Sequence, residues 1–154
     1  MNRNFPEAWW NTKTLMPAGT GSYSTEAPEV EAICEFFITH PNVYMVNEYH
    51  TQGGHVYRPL GSNDDKGMQP RDVVVYDQIL GKKYQELMQS PDLKSIWRRA
   101  WEPNGVYAGL LLDWLYKQCG VLSIATELWN PTHEIPELKD LKGNDLQRGI
   151  QKYA

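Results

Sequence analysis

Three separated segments of this chain carry side chains suited to chemistry on a carboxylate or a carbonyl. Asn2-Arg3-Asn4 sets a guanidinium between two amides. Such a group grips a carboxylate through two parallel N–H···O bonds, and an amide beside it can add a third. His50 follows an apolar, β-prone run from Val43 to Tyr49 and precedes Gly53-Gly54. Its imidazole therefore falls at a strand end, where ligands collect in α/β folds. Glu127 lies near the end of Val121–Leu128, in which Leu122, Ile124, Thr126 and Leu128 alternate with Ser123, Ala125 and Glu127. Alternation sends the two sets to opposite faces of a strand. The first face is mainly apolar and needs a core behind it. The second leads small residues up to an acid and leaves room for a ligand beside a carboxylate. Each residue also has a plainer reading: a surface arginine, a hydrogen-bonded surface histidine, a solvated acid at a strand end.

Other chemistries lack their residues. The chain holds no His-x-x-Glu, His-x-x-x-His or Cys-x-x-Cys. Zinc needs at least three protein ligands, so a metal site closed within these residues is not expected. There is no phosphate loop and no Gly-x-Ser-x-Gly elbow. His55 is a poor spacing from His50 for one strand face, and His40 and His133 lie close to loop prolines as surface residues. A formal net charge of -4, with no basic cluster longer than Lys82-Lys83 or Arg98-Arg99, argues against nucleic acid as a partner. No apolar run reaches the length of a membrane span, so no membrane partner is expected. The N-terminus has no apolar h-region, and no signal peptide is expected there. Cys34 and Cys119 read as small buried residues within helical patterns rather than as a disulfide framework.

The elements that must position these residues follow from periodicity. At 154 residues the chain is the size of one domain, 1–154, and can bury a core. Residues 11–22 read as a loop. A helix follows, with Ser24 or Thr25 as cap, Pro28 in the first turn, and Val30, Ile33, Cys34, Phe37 and Ile38 as its buried stripe. His40-Pro41 ends it. Val43 to Tyr49 reads as a buried inner strand, and Gln52 to Gln69 as a long loop. A second helix runs from about Asp72 to Met88, with Val73, Tyr76, Ile79, Leu80, Tyr84 and Leu87 on one face. Residues 92–104 fit no single pattern. A third helix spans about Tyr107 to Gln118 and stops at Gly120. Val121–Leu128 is a strand, residues 130–143 a loop, and a short helix covers about Asp145 to Lys152. Alternating helices and strands give an α/β fold. Two strands are too few for a covered sheet, so others lie in the ambiguous stretches or outside the chain.

Taken in order, these segments resemble the M14-type zinc carboxypeptidases, the family that includes carboxypeptidase A. The pieces are Asn2-Arg3-Asn4-Phe5-Pro6 with Trp9-Trp10; Ser24-Thr25-Glu26-Ala27-Pro28-Glu29 leading a helix; the strand before His50; Asp113-Trp114-Leu115-Tyr116 with Gly120-Val121; and Thr126-Glu127-Leu128. The similarity covers nearly the whole chain. It implies an α/β fold with a mixed sheet and helices on both faces, and exopeptidase action on peptide or protein C-termini. It also implies roles. His50 matches the family's third zinc ligand, and Glu127 its catalytic glutamate. Asn2 and Arg3 match the pair that binds the substrate's terminal carboxylate. Family members are often exported, so the resemblance points to an extracellular or periplasmic setting.

Three departures shape the expectation. The family's other two zinc ligands, a His and a Glu in His-x-x-Glu, precede the Asn-Arg motif, and this chain has neither. The resemblance thus implies part of a catalytic domain without its N-terminal half, with two ligands upstream of Met1 and no activity alone. The mobile tyrosine that covers the substrate aligns with Gly105; Tyr107 is the nearest replacement. The residue before Asp113 is acidic in members that prefer terminal Lys or Arg. Here it is Leu112, which implies a neutral or apolar terminal residue with Ser123 and Ala125 lining its pocket. Two alternatives remain open: a module that binds peptide C-termini without hydrolysis, and a zinc amidase or deacylase on a related fold. Arg3 separates the last from a carboxypeptidase, because it calls for a terminal carboxylate.

Overall fold

A computed structural model describes residues 2–10, 20–51, 54–87, 97–99, 107–128, 135–141 and 143–152. Helix α1 is Pro28–Thr39, and strands β1 and β2 are Met45–His50 and Val56–Arg58. Helix α2 (Pro70–Val74) runs on through a π-helical stretch, Val75–Gly81, into α3 (Lys82–Leu87). Then come β3 (Trp97–Arg99), α4 (Leu111–Trp114) with a π-helical turn at Leu115–Cys119, β4 (Leu122–Glu127) and α5 (Gly143–Gln151). The four strands form one mixed sheet in the order β1-β4-β2-β3. β1 is parallel to β4, β2 is antiparallel to β4, and β3 is parallel to β2. This is an α/β fold.

Helices cover both faces of the sheet, and the alternation of β4 decides which residues meet which layer. Ile124 packs with Val56, Leu60, Met68 and Tyr76, so α2 and its continuation cover that side. On the other side α1 and α4 pack Val30, Cys34, Trp114 and Leu115 against Phe5 and Val121, with Val46 of β1 joining them. In the parallel pair, Val46, Glu48 and His50 stand opposite Ser123, Ala125 and Glu127. Partners in register share a face, so the candidate site lies on the α1/α4 side, at the C-terminal ends of β1 and β4.

Several elements differ from the sequence expectation. Among the described strands Val43–Tyr49 departs from the expected buried inner strand: β1 begins at Met45 and lies at the edge of the described sheet, with Met45 and Tyr49 exposed. Its apolar residues stand on both faces, and only Val46 finds a described layer to pack on. The expected loop of residues 52–69 contains β2, and the ambiguous stretch contains β3. Three residues are too few to carry a readable alternation. The expected stripe of the second helix loses Ile79 and Leu87, which are exposed, while Val73, Tyr76, Leu80 and Tyr84 stay inward. The π-helical turn is the reason, since its wider turn moves the inward positions to a spacing of four after Tyr76. Ile38 is likewise exposed at the end of α1. The third helix starts at Leu111 rather than near Tyr107, and Gly120 closes it in the left-handed conformation.

Asp113 fixes the loop that follows β2. Its carboxylate is fully buried and accepts from the Gly61 N–H at 2.8 and 3.0 Å, the Ser62 N–H at 2.9 Å and the Ser62 hydroxyl at 2.8 Å. Burial pushes its pKa up to about 6 from an ordinary 3.8, against the pull of those donors. A raised folded pKa stabilises the protonated form. The contribution to stability is complete below about 3.8 and is lost as pH rises through about 6. Asp113→Asn should flatten that part of the pH–stability profile. It should also cost about 1–3 kcal/mol at neutral pH, because an amide nitrogen would face backbone donors. Urea unfolding of both proteins from pH 4 to pH 7 measures both effects.

Candidate active site

The N-terminal segment is held by its own residues. Asn4 is buried and donates to the Thr20 and Tyr23 carbonyls at 2.6 and 2.7 Å, while its Oδ1 accepts from the Ala27 N–H at 3.1 Å. That last bond serves the start of α1; neither Ser24 nor Thr25 caps it. Phe5 N–H donates to the Gly109 carbonyl, and Gly109 N–H to that of Glu7. Gly109 is required here. Its φ is +65°, and a Cβ would lie 2.4 Å from the Arg3 carbonyl oxygen. Asn2 Oδ1 accepts from the Leu111 N–H at 2.9 Å, an orphan donor of the first turn of α4. With its oxygen pinned, the Asn2 amide keeps its NH2 for another acceptor.

These restraints bring the N-terminal segment to the ends of β1 and β4. Asn2, Arg3, Glu48, His50, Tyr57, Tyr107, Leu110, Leu112, Ala125 and Glu127 line one cavity of about 310 Å³. Of the residues singled out from sequence, Asn2, Arg3, His50, Tyr107, Leu112, Ala125 and Glu127 meet there. Ser123 is buried instead, with its hydroxyl donated to the Leu112 carbonyl at 2.8 Å and its N–H to the Tyr76 oxygen at 2.9 Å. Gly105, the aligned position of the covering tyrosine, lies outside the described residues. Tyr107 stands with its ring 5.6 Å from the Arg3 guanidinium carbon, within cation–π range.

The electrostatics of the cavity are mixed. His50 Nε2 lies 3.1 Å from Glu48 Oε2, and its Nδ1 lies 3.6 Å from Glu127 Oε1. The Glu48 hydrogen bond is the main cause of a raised His50 pKa, with burial and the Arg3 charge opposing it. Donation from Nε2 to Glu48 places the lone pair of the neutral ring on Nδ1, which faces Glu127. Arg3 has its pKa lowered by burial. Its Nη1 donates to the Asn2 carbonyl, and its Nε is buried without a partner among the described residues.

Glu48 and Tyr57 are not among the residues the sequence points to, and Leu110 is expected only as an inward residue of the third helix. The signal for Glu48 was available, since it sits two residues before His50 and so shares its strand face. Tyr57 lies in the three-residue β2, too short to show an alternation in the sequence.

The cavity fits zinc only in part. An imidazole with a free Nδ1 beside a carboxylate is a suitable donor, but no group of three or more His, Cys, Asp or Glu able to hold a metal exists among the described residues. No described helix is long and apolar enough to cross a membrane.

No curated protein sequence matches the chain. The family model for zinc carboxypeptidases, peptidase family M14, matches residues 1–144, nearly its full length. The cation, the imidazole and the carboxylate gathered at one sheet edge thus stand in a chain that belongs to the zinc carboxypeptidase family, a family of zinc-dependent peptide hydrolases.

Proposed function

We propose that this chain supplies the substrate-registering and proton-transfer side of a metallocarboxypeptidase site that releases the last residue of a peptide. The observation that carries this reading is the single cavity shared by Arg3, His50 and Glu127. Arg3, with the Asn2 amide, would hold the free carboxylate of the terminal residue. Only the bond next to that residue would then meet the reacting groups. Glu127 would take a proton from the attacking water and return it to the departing amine, as general base and then general acid. His50 would be one zinc ligand through Nδ1, and the other two would come from outside these 154 residues. Zinc supplies Lewis-acid polarisation of the scissile carbonyl when bound.

Two outcomes follow for the chain by itself. Calorimetric titration with zinc should give no submicromolar site, because one imidazole is not a ligand set. The purified chain should leave a blocked dipeptide intact. Recognition of the substrate end does not depend on zinc. An Nα-acetyl amino acid should therefore bind more tightly than its amide, as followed by NMR titration of the cavity residues. Equal binding of acid and amide would remove the basis for the carboxypeptidase reading. The incomplete ligand set among the described residues favours a second reading, a module that binds peptide C-termini without cutting them. Hydrolysis by a form of the protein that holds zinc tightly would exclude it.

A further inference from the structure

We propose that Glu48 sets the specificity of this cavity and selects a terminal residue with a cationic side chain, of the lysine or arginine type. This rests on the carboxypeptidase reading of the site. Leu112, Leu110 and Ala125 pack together with Tyr57 as one apolar wall. Taken alone, that wall suits a neutral terminal residue. Strand β1 changes the balance. Glu48 stands opposite Ala125 in register, one step inward from the His50–Glu127 pair, and lines the same cavity.

Its side chain is only 13% exposed. Oε2 is occupied by His50, while Oε1 is buried with no hydrogen-bond partner among the described residues. A desolvated carboxylate oxygen without a donor is unfavourable. Glu48 lines the cavity, so a donor bound there lies beside its carboxylate. Arg3 presents the converse, with a buried Nε and no partner among the described residues. The walls therefore hold a cation and an anion, each with one buried atom unpaired among the described residues.

A basic amino acid with a free α-carboxylate answers both. A neutral terminal residue answers Arg3 and leaves Glu48 desolvated. An acidic one would set two carboxylates against each other in a poorly hydrated space. Glu127 does not compete for this role, since it lies at the strand end beside His50 Nδ1, while Glu48 lies against the wall that the terminal side chain would pack on.

The test titrates the chain with Nα-acetyl-L-arginine, Nα-acetyl-L-lysine, Nα-acetyl-L-norleucine and Nα-acetyl-L-arginine amide, by calorimetry or NMR. The basic acids should bind about tenfold or more tighter than norleucine, the scale of one desolvated ion pair. Glu48→Gln keeps an acceptor for His50 and removes the charge, so the ratio of basic to neutral ligand should collapse toward one. A wild-type ratio near one, or a ratio that survives Glu48→Gln, overturns the proposal. The wild-type ratio decides even if the variant fails to fold. The two failures are distinct. If acids bind no better than the amide, the carboxypeptidase reading falls and Glu48 with it. If acids bind well regardless of side-chain charge, only the role of Glu48 falls.

Discussion

Arg3→Ala should weaken binding of an Nα-acetyl amino acid by about 100-fold or more and abolish its advantage over the amide. Truncating one partner of a desolvated charge pair costs about 2–5 kcal/mol, which spans roughly thirty-fold to several thousand-fold in affinity. Arg3 belongs in the upper part of that range. Burial already lowers its pKa, its Nε has no partner among the described residues, and the Tyr107 ring backs the guanidinium. A cation so placed is partly desolvated, which strengthens its pairing with a carboxylate in the cavity. The segment itself should survive the substitution. It is held by the Asn4 side chain, by the Phe5–Gly109 backbone bond and by close packing on Gly109, none of which uses the Arg3 side chain. Arg3→Lys should recover only part of the loss, because an ammonium restores charge but not the planar fork. Calorimetry with acid and amide ligands measures all three proteins. An alanine variant that still prefers the acid would remove Arg3 from carboxylate recognition.

What could be read from the sequence divides along physical lines. β4 is legible because its six residues alternate between small or acidic and apolar or β-branched, and its central place in the described sheet gives each face a different environment. The start of α1 at Pro28 and the stop at Gly120 are legible because backbone chemistry dictates them locally. β2 and β3 are not. Each has three residues and depends on its sheet neighbours rather than on any pattern of its own. The inward positions of the second helix depart from the expected stripe because a π-helical turn is set by packing, and a fixed 3.6-residue period does not anticipate it.

The site shows the same division. His50 and Glu127 could be placed at strand ends from local pattern alone. That β1 and β4 are parallel neighbours in a register joining them is tertiary information. So is the return of Arg3 to the same edge. Its one local trace is Gly109, whose missing side chain makes room for the Arg3 backbone. Glu48 gives the clearest lesson: its face follows from His50 by simple alternation, but the lack of a partner for its Oε1 among the described residues is tertiary information.

Among the described residues, Arg58 should carry the largest stability effect. It is 2% exposed at the end of β2, yet ionised groups surround it. Its Nε and Nη2 donate to Asp77 at 2.8 and 3.3 Å, and its Nη1 and Nη2 to Asp65 at 3.0 and 3.1 Å, with a further bond from Nη1 to the Pro59 carbonyl at 2.8 Å. Two forked pairs thus tie a three-residue strand to the helix on one side and to the turn at Asp65–Gly67 on another. Arg58→Ala should destabilise the fold by about 3–5 kcal/mol, since it opens a cavity and leaves two carboxylates facing each other without their cation. Arg58→Met separates the two causes. It restores apolar volume but not charge, and because Asp65 and Asp77 are each about one-third exposed, water can take over part of their solvation. Methionine should therefore recover the packing share and leave the electrostatic one. Urea unfolding of the three proteins gives the partition. The consequence reaches the cavity, because Tyr57 precedes Arg58 and pairs with Ala125 in the wall of the site. A variant loosened at Arg58 should lose ligand discrimination along with stability. If Arg58→Ala instead unfolds within about 1 kcal/mol of wild type, the buried pairs contribute no more than exposed surface ones, and β2 must be held by its sheet neighbours alone.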